Sequence, residues 1–256
     1  MPTSTKLQET FGDDVQVIFV ECQNTPRDVW EAFAWKMKWM GNQALWTIER
    51  PVEIEGSGLP SFALLGIDGT VLMQGHPGDF GKKIEETVAA EIKKAKQAPA
   101  GTPKDAQKAW SLFLKGEVAA ALAECDKVAS DATKAARTEF VSRTGAEIDR
   151  AQWLIEHGYI GSAEELLGAL EKSVKGDAEL SARVAERKKQ LTTPELAAER
   201  DADKAFTSFV AKVAKKKPFE PANVKEAAGI ASKFSGTKTA KRAERFVALS
   251  KVELNK

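Results

Sequence analysis

A short Pro/Gly segment, Ala98-Pro-Ala-Gly-Thr-Pro103, divides the sequence into two halves of different texture. Pro and Gly clustered over a few residues interrupt helix and strand alike, so a boundary is expected there. Ahead of it, apolar residues fall into short strand-like and helix-like patterns. Behind it no strand pattern is visible, and the sequence is rich in Ala, Glu and Lys with helical periodicity and recurrent turn signals. The expected organisation is a domain over residues 1–98, a linker over 99–103 and an all-helical domain over 104–256. A length of 256 residues suits two ordinary domains.

In the first half, residues 15–20 form an apolar run rich in Val and Ile, the pattern of a buried strand. Residues 44–48 are a weaker strand candidate. Residues 61–67 and 70–74 flank Asp68-Gly69, a strong hairpin signal. A helix is predicted over residues 80–97, with Ile84, Val88 and Ile92 four apart. Another should follow Thr25-Pro26-Arg27-Asp28, with Thr25 as N-cap, Pro26 in the first helical position and Asp28 completing a capping box. Thr102-Pro103 repeats the device, Ser162 with Glu165 forms another box, and Thr193-Pro194 opens a further helix. On a helical wheel, Val29, Phe33, Met37 and Met40 share a sector expected to face a sheet. Trp35 and Trp39 fall on a different face. They either pack internally or form a partner-binding patch, since Trp is enriched at binding hot spots.

Composition excludes several functions. Lys+Arg number 38 and Asp+Glu 37, a balance that argues against a dedicated nucleic-acid binder. Two Cys (Cys22, Cys125) and two His (His76, His157) are too few and too scattered for a zinc module, so neither metal nor cofactor is expected. No apolar run approaches the roughly 18 residues of a membrane span, so membrane insertion is not expected. The N-terminus does not read as a signal peptide. The chain therefore reads as cytoplasmic if Met1 is its natural start, and as exported if it has been trimmed. The charge is uneven. Residues 1–98 carry 10 basic and 14 acidic side chains, net −4; residues 99–191 carry 14 and 15, net −1; residues 192–256 carry 14 and 8, net +6.

Two motifs in the first half carry a family resemblance. In one, Pro60 precedes the run Ser61-Phe-Ala-Leu-Leu, followed by the Asp68-Gly69 hairpin. In the other, Phe19-Val-Glu-Cys-Gln-Asn-Thr-Pro26-Arg-Asp leads into a helix. Together, in the order helix, strand, helix, strand, strand pair, helix over residues 4–97, they resemble the thioredoxin family. The resemblance implies an α/β fold, a cis peptide at Leu59–Pro60, and a site at which Asn24, Thr25, Pro26 and Arg27 stand where the family has its Cys-Gly-Pro-Cys segment. Asn24 and Arg27 then occupy the two cysteine positions, and neither can attack a disulfide. The chain departs from the family in two places: nothing before Val15 matches its first strand, and residues 50–59 are too short for the helix before the cis proline. Cys22 remains a candidate thiol in another register, as Cys22-Gln-Asn-Thr25. A thiol near a helix N-terminus can be activated, while Cys at a strand end is often simply buried.

In the second half, Gly116 and Gly158 align with an apolar residue two positions later and Ala five positions later. Cys125 and Val128 then match Leu167 and Leu170, and Ala109-Trp110 matches the segment Ala151-Gln-Trp153. These pairs resemble tetratricopeptide (TPR) helical hairpins, with a third unit expected over residues 205–234 and a closing hairpin over 228–243. An irregular bundle is the other reading. Lys238, Lys241, Arg242 and Arg245 form a basic stripe on the last helix, a candidate surface for an acidic partner or a solvated face.

The expected fold class is thus an α/β thioredoxin-like N-terminal domain with an all-α, TPR-like helical-hairpin C-terminal domain. The expected function is a redox-inactive protein–protein interaction or scaffold module acting through its helical tail, with protein partners. Two alternatives are a monothiol redox protein using Cys22 and a purely structural subunit of an assembly.

Overall fold

The computed structural model describes residues 2–40, 44–49, 52–53 and 58–254. Its contacts separate two units, Met1–Gln97 with Glu253–Lys256, and Ala98–Val252. The first unit contains α1 (Pro2–Phe11), β1 (Phe19–Glu21), α2 (Arg27–Lys36), β2 (Ala44–Trp46), β3 (Phe62–Leu65), β4 (Val71–Gly75) and α3 (Lys82–Ala95). β1 pairs in parallel with β2, Phe19 opposite Ala44 and Glu21 opposite Trp46. β3 pairs antiparallel with β4, with an irregularity at Leu64/Leu65.

The expected α/β thioredoxin-like head with a separate TPR-like domain is corrected by this architecture. Among the described residues the strands form two separate two-stranded sheets. The described residues are about 65% helical and 6% strand. The run at 15–20 yields a strand of only three residues. The outer side chains Val20, Leu45, Leu65 and Val71 are exposed, whereas parallel strands of an α/β sheet are covered on both faces. Apolar runs alone do not distinguish a sandwiched strand from a short ribbon, because the covering layers come from elsewhere in the chain. The stretch at 50–59 lies partly outside the described residues. Leu59–Pro60 is a cis peptide bond.

The hairpin closes more widely than Asp68-Gly69 alone suggests. The Gly69 N–H donates to Gly66 O (3.0 Å) and the Gly66 N–H to Thr70 O (2.8 Å). This is a three-residue loop with Gly69 left-handed at φ 81°, the position such loops reserve for glycine.

α2 also differs from its predicted wheel. It ends at Lys36, and Lys38 turns left-handed at φ 62°. The Trp39 N–H donates to Ala34 O (2.9 Å) and the Lys38 N–H to Trp35 O (3.1 Å). These two bonds define a Schellman stop, which folds Trp39 back beneath the helix. Trp39 then stacks on Phe19 at 3.9 Å and lies 5.8 Å from Trp30. Trp30, Ala34 and Trp39 form the core of this part, with Phe19, Ala44 and Trp46 packed on it. Phe33 and Met37, expected to face a sheet, are exposed: within α2 it is Trp30 and Ala34 that turn inward, and Met37 lies past the end of the helix.

The second unit contains α4 (Lys104–Leu114), α5 (Val118–Val128), α6 (Asp131–Glu156), α7 (Ile160–Ser173), α8 (Ala178–Leu191), α9 (Ala197–Val213), α10 (Pro221–Lys233) and α11 (Lys238–Leu249). α4 packs on α5 and α6; α6 also packs on α5, α7 and α8; α7 packs on α8 and α9; α9, α10 and α11 pack on one another. The aligned glycines make equivalent turns. Gly116 (φ 80°) and Gly158 (φ 77°) are left-handed. Each turn is closed by a pair of bonds, from the Glu117 N–H to Leu112 O and the Gly116 N–H to Phe113 O, and from the Tyr159 N–H to Leu154 O and the Gly158 N–H to Ile155 O. Val118 and Ala121 are buried, as are their counterparts Ile160 and Ala163. The helices around the turns are unequal, however: α4 has 11 residues and α6 has 26. The alignment therefore reports a shared turn and not a repeat of fixed length.

Helix starts are corrected in detail. Pro26 and Pro103 are themselves the N-caps of α2 and α4, without a side-chain cap bond. α7 begins at Ile160, which places Ser162 inside the helix. Side-chain caps come instead from Ser130, Asp177 and Thr237.

Candidate functional site

Cys22, Asn24, Thr25 and Pro26 lie on the connection between β1 and α2, and Arg27 is the first residue of α2. What holds this connection was not read from the sequence. The buried carboxylate of Glu21 accepts from the Gln23 N–H and from the Thr25 N–H (3.3 Å). The Trp46 indole N–H donates to Thr25 O (2.8 Å). Glu21 ends β1 and Trp46 ends β2, opposite each other in the register, so pairing of the two strands delivers both anchors to the loop. Asn24 is left-handed at φ 62°, a conformation that Asn tolerates better than most residues. Arg27 pairs with Glu31 at 2.6 Å, and its guanidinium lies 6.0 Å from the Trp46 ring centroid.

Cys22 is half-buried and unpaired with another cysteine. α2 starts five residues later. Cys125 is buried in the helical core, and burial pushes its thiol pKa up. Leu59 and Pro60 are exposed on the approach to β3 and take no part in the Glu21–Trp46 hydrogen bonds. The geometry thus assembles a braced loop. It does not assemble a nucleophile with a base.

The two tryptophans proposed as a contact patch are inside the molecule: Trp35 is 8% exposed and Trp39 3%. The basic stripe is split. Lys238, Lys241 and Arg245 are exposed, but Arg242 turns inward. Its Nη2 donates to Asp203 Oδ1 (2.7 Å), Gly158 O (2.8 Å) and Thr239 Oγ1 (2.6 Å). Asp203 also accepts from the Gly161 N–H (2.8 Å) at the start of α7. Glu199, one turn earlier on α9, accepts from the N–H groups of Lys238 (2.7 Å) and Thr239 (2.9 Å). With Thr237 capping Ala240, the first three N–H groups of α11 are all satisfied. Gly158 sits against this knot: a Cβ there would lie 2.7 Å from Glu199 Oε1 and 3.0 Å from Lys238 Cβ.

Beside the knot is an aromatic group at the α6–α7 turn. Trp153 stacks on His157 at 4.1 Å, and Tyr159 lies 6.0 Å from Trp153 with an interplanar angle of 11°. The Arg242 guanidinium stands 4.3 Å over the Tyr159 ring. Trp153 is 51% exposed. With Gly116 on Gly158, Trp153 falls on the exposed Ser111, one position after the counterpart of the buried Trp110, so an indole occupies a solvent position.

Among the described residues, no cluster of three or more His, Cys, Asp or Glu side chains is arranged to hold a metal ion, and no helix is long and apolar enough to cross a membrane. Comparison of the chain with protein-family models, with curated proteins and with solved structures gave no match.

Proposed function

We propose that this chain is a protein-binding scaffold that acts through its helical unit and carries out no thiol–disulfide exchange. The observation behind this reading is the packing of α4–α11, in which each helix contacts its neighbour in the chain or the next but one. Helices stacked in this way bury their inner faces and offer extended outer surfaces for partners. The thiols favour the same reading. A dithiol exchange needs a second thiolate to resolve the mixed disulfide, and the residues flanking Cys22 supply none.

Two measurements on the full chain test the proposal. A disulfide-reduction assay should give no turnover, and Cys22-dependent turnover overturns the redox-inactive half. Affinity purification with nuclease treatment should recover a defined protein partner at fixed stoichiometry. A chain that comes through alone overturns the scaffold half.

A further inference from the structure

The sequence contains a single Asp-Gly pair, Asp68-Gly69, and no Asn-Gly. In such a pair the backbone nitrogen after the acid can attack its side-chain carboxyl carbon, because glycine has no Cβ to hinder the approach. The attack needs a free N–H and a protonated carboxyl, since a carboxylate offers no good leaving group. The β3–β4 loop opposes both. The Gly69 N–H is committed to Gly66 O (3.0 Å). Asp68 Oδ1 accepts from the Thr70 hydroxyl (2.6 Å) and the Thr70 N–H (3.0 Å), and such bonds favour the charged form. A Cβ on Gly66 would lie 3.1 Å from that same oxygen, so the carboxylate is folded back over the loop. The loop is braced further by the Gly66 N–H on Thr70 O (2.8 Å) and by Glu91 of α3, which accepts from the Ile67 N–H (3.4 Å). Asp68 and Gly69 are themselves exposed to water. The hydrogen bonds of the loop are therefore what separates the pair from reaction.

We propose that Asp68 is a self-modification site, which the closed hairpin keeps latent and local opening of the hairpin exposes. Opening frees the nucleophile and the acid together, because the same short loop holds both. The chemistry needs only water. A bond forms between Gly69 N and Asp68 Cγ, and the Asp68 Cγ–OH bond breaks. The hydroxyl leaves with the Gly69 amide proton as one water, and a five-membered succinimide remains. Water then adds to one of the two ring carbonyls. Addition at Cγ restores aspartate. Addition at the Asp68 backbone carbonyl carbon leaves the chain running through Cβ and Cγ, an isoaspartyl link. Neither step changes an oxidation state. The product has the mass of the parent and one extra main-chain carbon. A three-residue loop has no slack for that carbon, so modification holds the hairpin open and costs β3 its register with β4.

Prolonged incubation of the full chain at neutral pH, in buffer and in urea, tests this. Digestion, liquid chromatography and electron-transfer fragmentation separate isoaspartyl from aspartyl peptides of equal mass. Isoaspartate at residue 68 should form about fivefold faster or more in the unfolded chain than in the folded one, the factor that one ordinary hydrogen bond represents. Thr70→Val should speed its formation in buffer by a similar factor and leave the rate in urea unchanged. Thr70→Ser, which keeps the hydroxyl, should stay near the parent rate. Thr70 is exposed, and far-UV circular dichroism verifies that both variants are folded. Formation as fast in the folded chain as in the unfolded one overturns the gating. A Thr70→Val rate equal to that of the parent overturns the part assigned to Thr70. No isoaspartate in the unfolded chain overturns the site itself.

Discussion

Asp68 illustrates how one exposed side chain organises a turn. Its Oδ1 accepts from the Thr70 hydroxyl (2.6 Å) and the Thr70 N–H (3.0 Å). These bonds, the hydroxyl first, favour the carboxylate and hold the Asp68 pKa below the usual aspartate value. A pKa lowered by folding stabilises the hairpin above the unfolded value, about 4, and that contribution disappears as pH falls through the lowered folded value. An NMR titration should therefore place the Asp68 midpoint below that of an ordinary aspartate, and Thr70→Val should raise it. An unchanged midpoint in the variant would contradict this assignment. The Asp-Gly pair was legible as a turn. The hydroxyl that tunes the acid became evident only once the loop length was known.

At the scale of elements, the ends of helices decide more than their middles. The apolar spacing in α2 was visible in the sequence, yet Phe33 was given to the core where Trp30 and Ala34 occupy it, and the stop at Lys36 that folds Trp39 inward was not visible. Lys38 is left-handed without being glycine, a strained backbone for a residue with a Cβ. Lys38→Gly should stabilise the first unit by roughly 0.5–1 kcal/mol, read as a higher midpoint in thermal unfolding followed by tryptophan fluorescence. A lower midpoint would mean that the Lys38 side chain contributes more than its backbone costs. Gly116 and Gly158 gave a readable signal for the opposite reason: glycine suits the left-handed cap, so it marks the helix end directly. Cap assignments at Thr25 and Thr102 fell one residue early: each helix starts one residue later, with the proline as its N-cap.

Across the whole molecule, the helical unit is joined by polar contacts between residues distant in sequence. Asp203 on α9 binds the first turn of α7 and Arg242 of α11, with side-chain exposures of 6% for Asp203 and 23% for Arg242. Removing one member of a buried pair leaves the other charged and desolvated, so Asp203→Ala should cost about 3–5 kcal/mol. Urea unfolding followed by far-UV circular dichroism measures it. A combined Asp203→Ala, Arg242→Met variant should recover part of the loss, and equal loss in both would place the effect elsewhere.

By itself the sequence determined that a boundary lies near residue 98, that the second half is helical, and where glycines end its helices. These follow from composition and short-range spacing, which act within a turn or two of the chain. Tertiary structure alone decided that the strands form two small ribbons, that Trp35 and Trp39 are buried while Trp153 is exposed, and that Arg242 leaves its basic row to meet Asp203. Each of these depends on what an element packs against. That partner lies tens of residues away and leaves no mark in the local pattern.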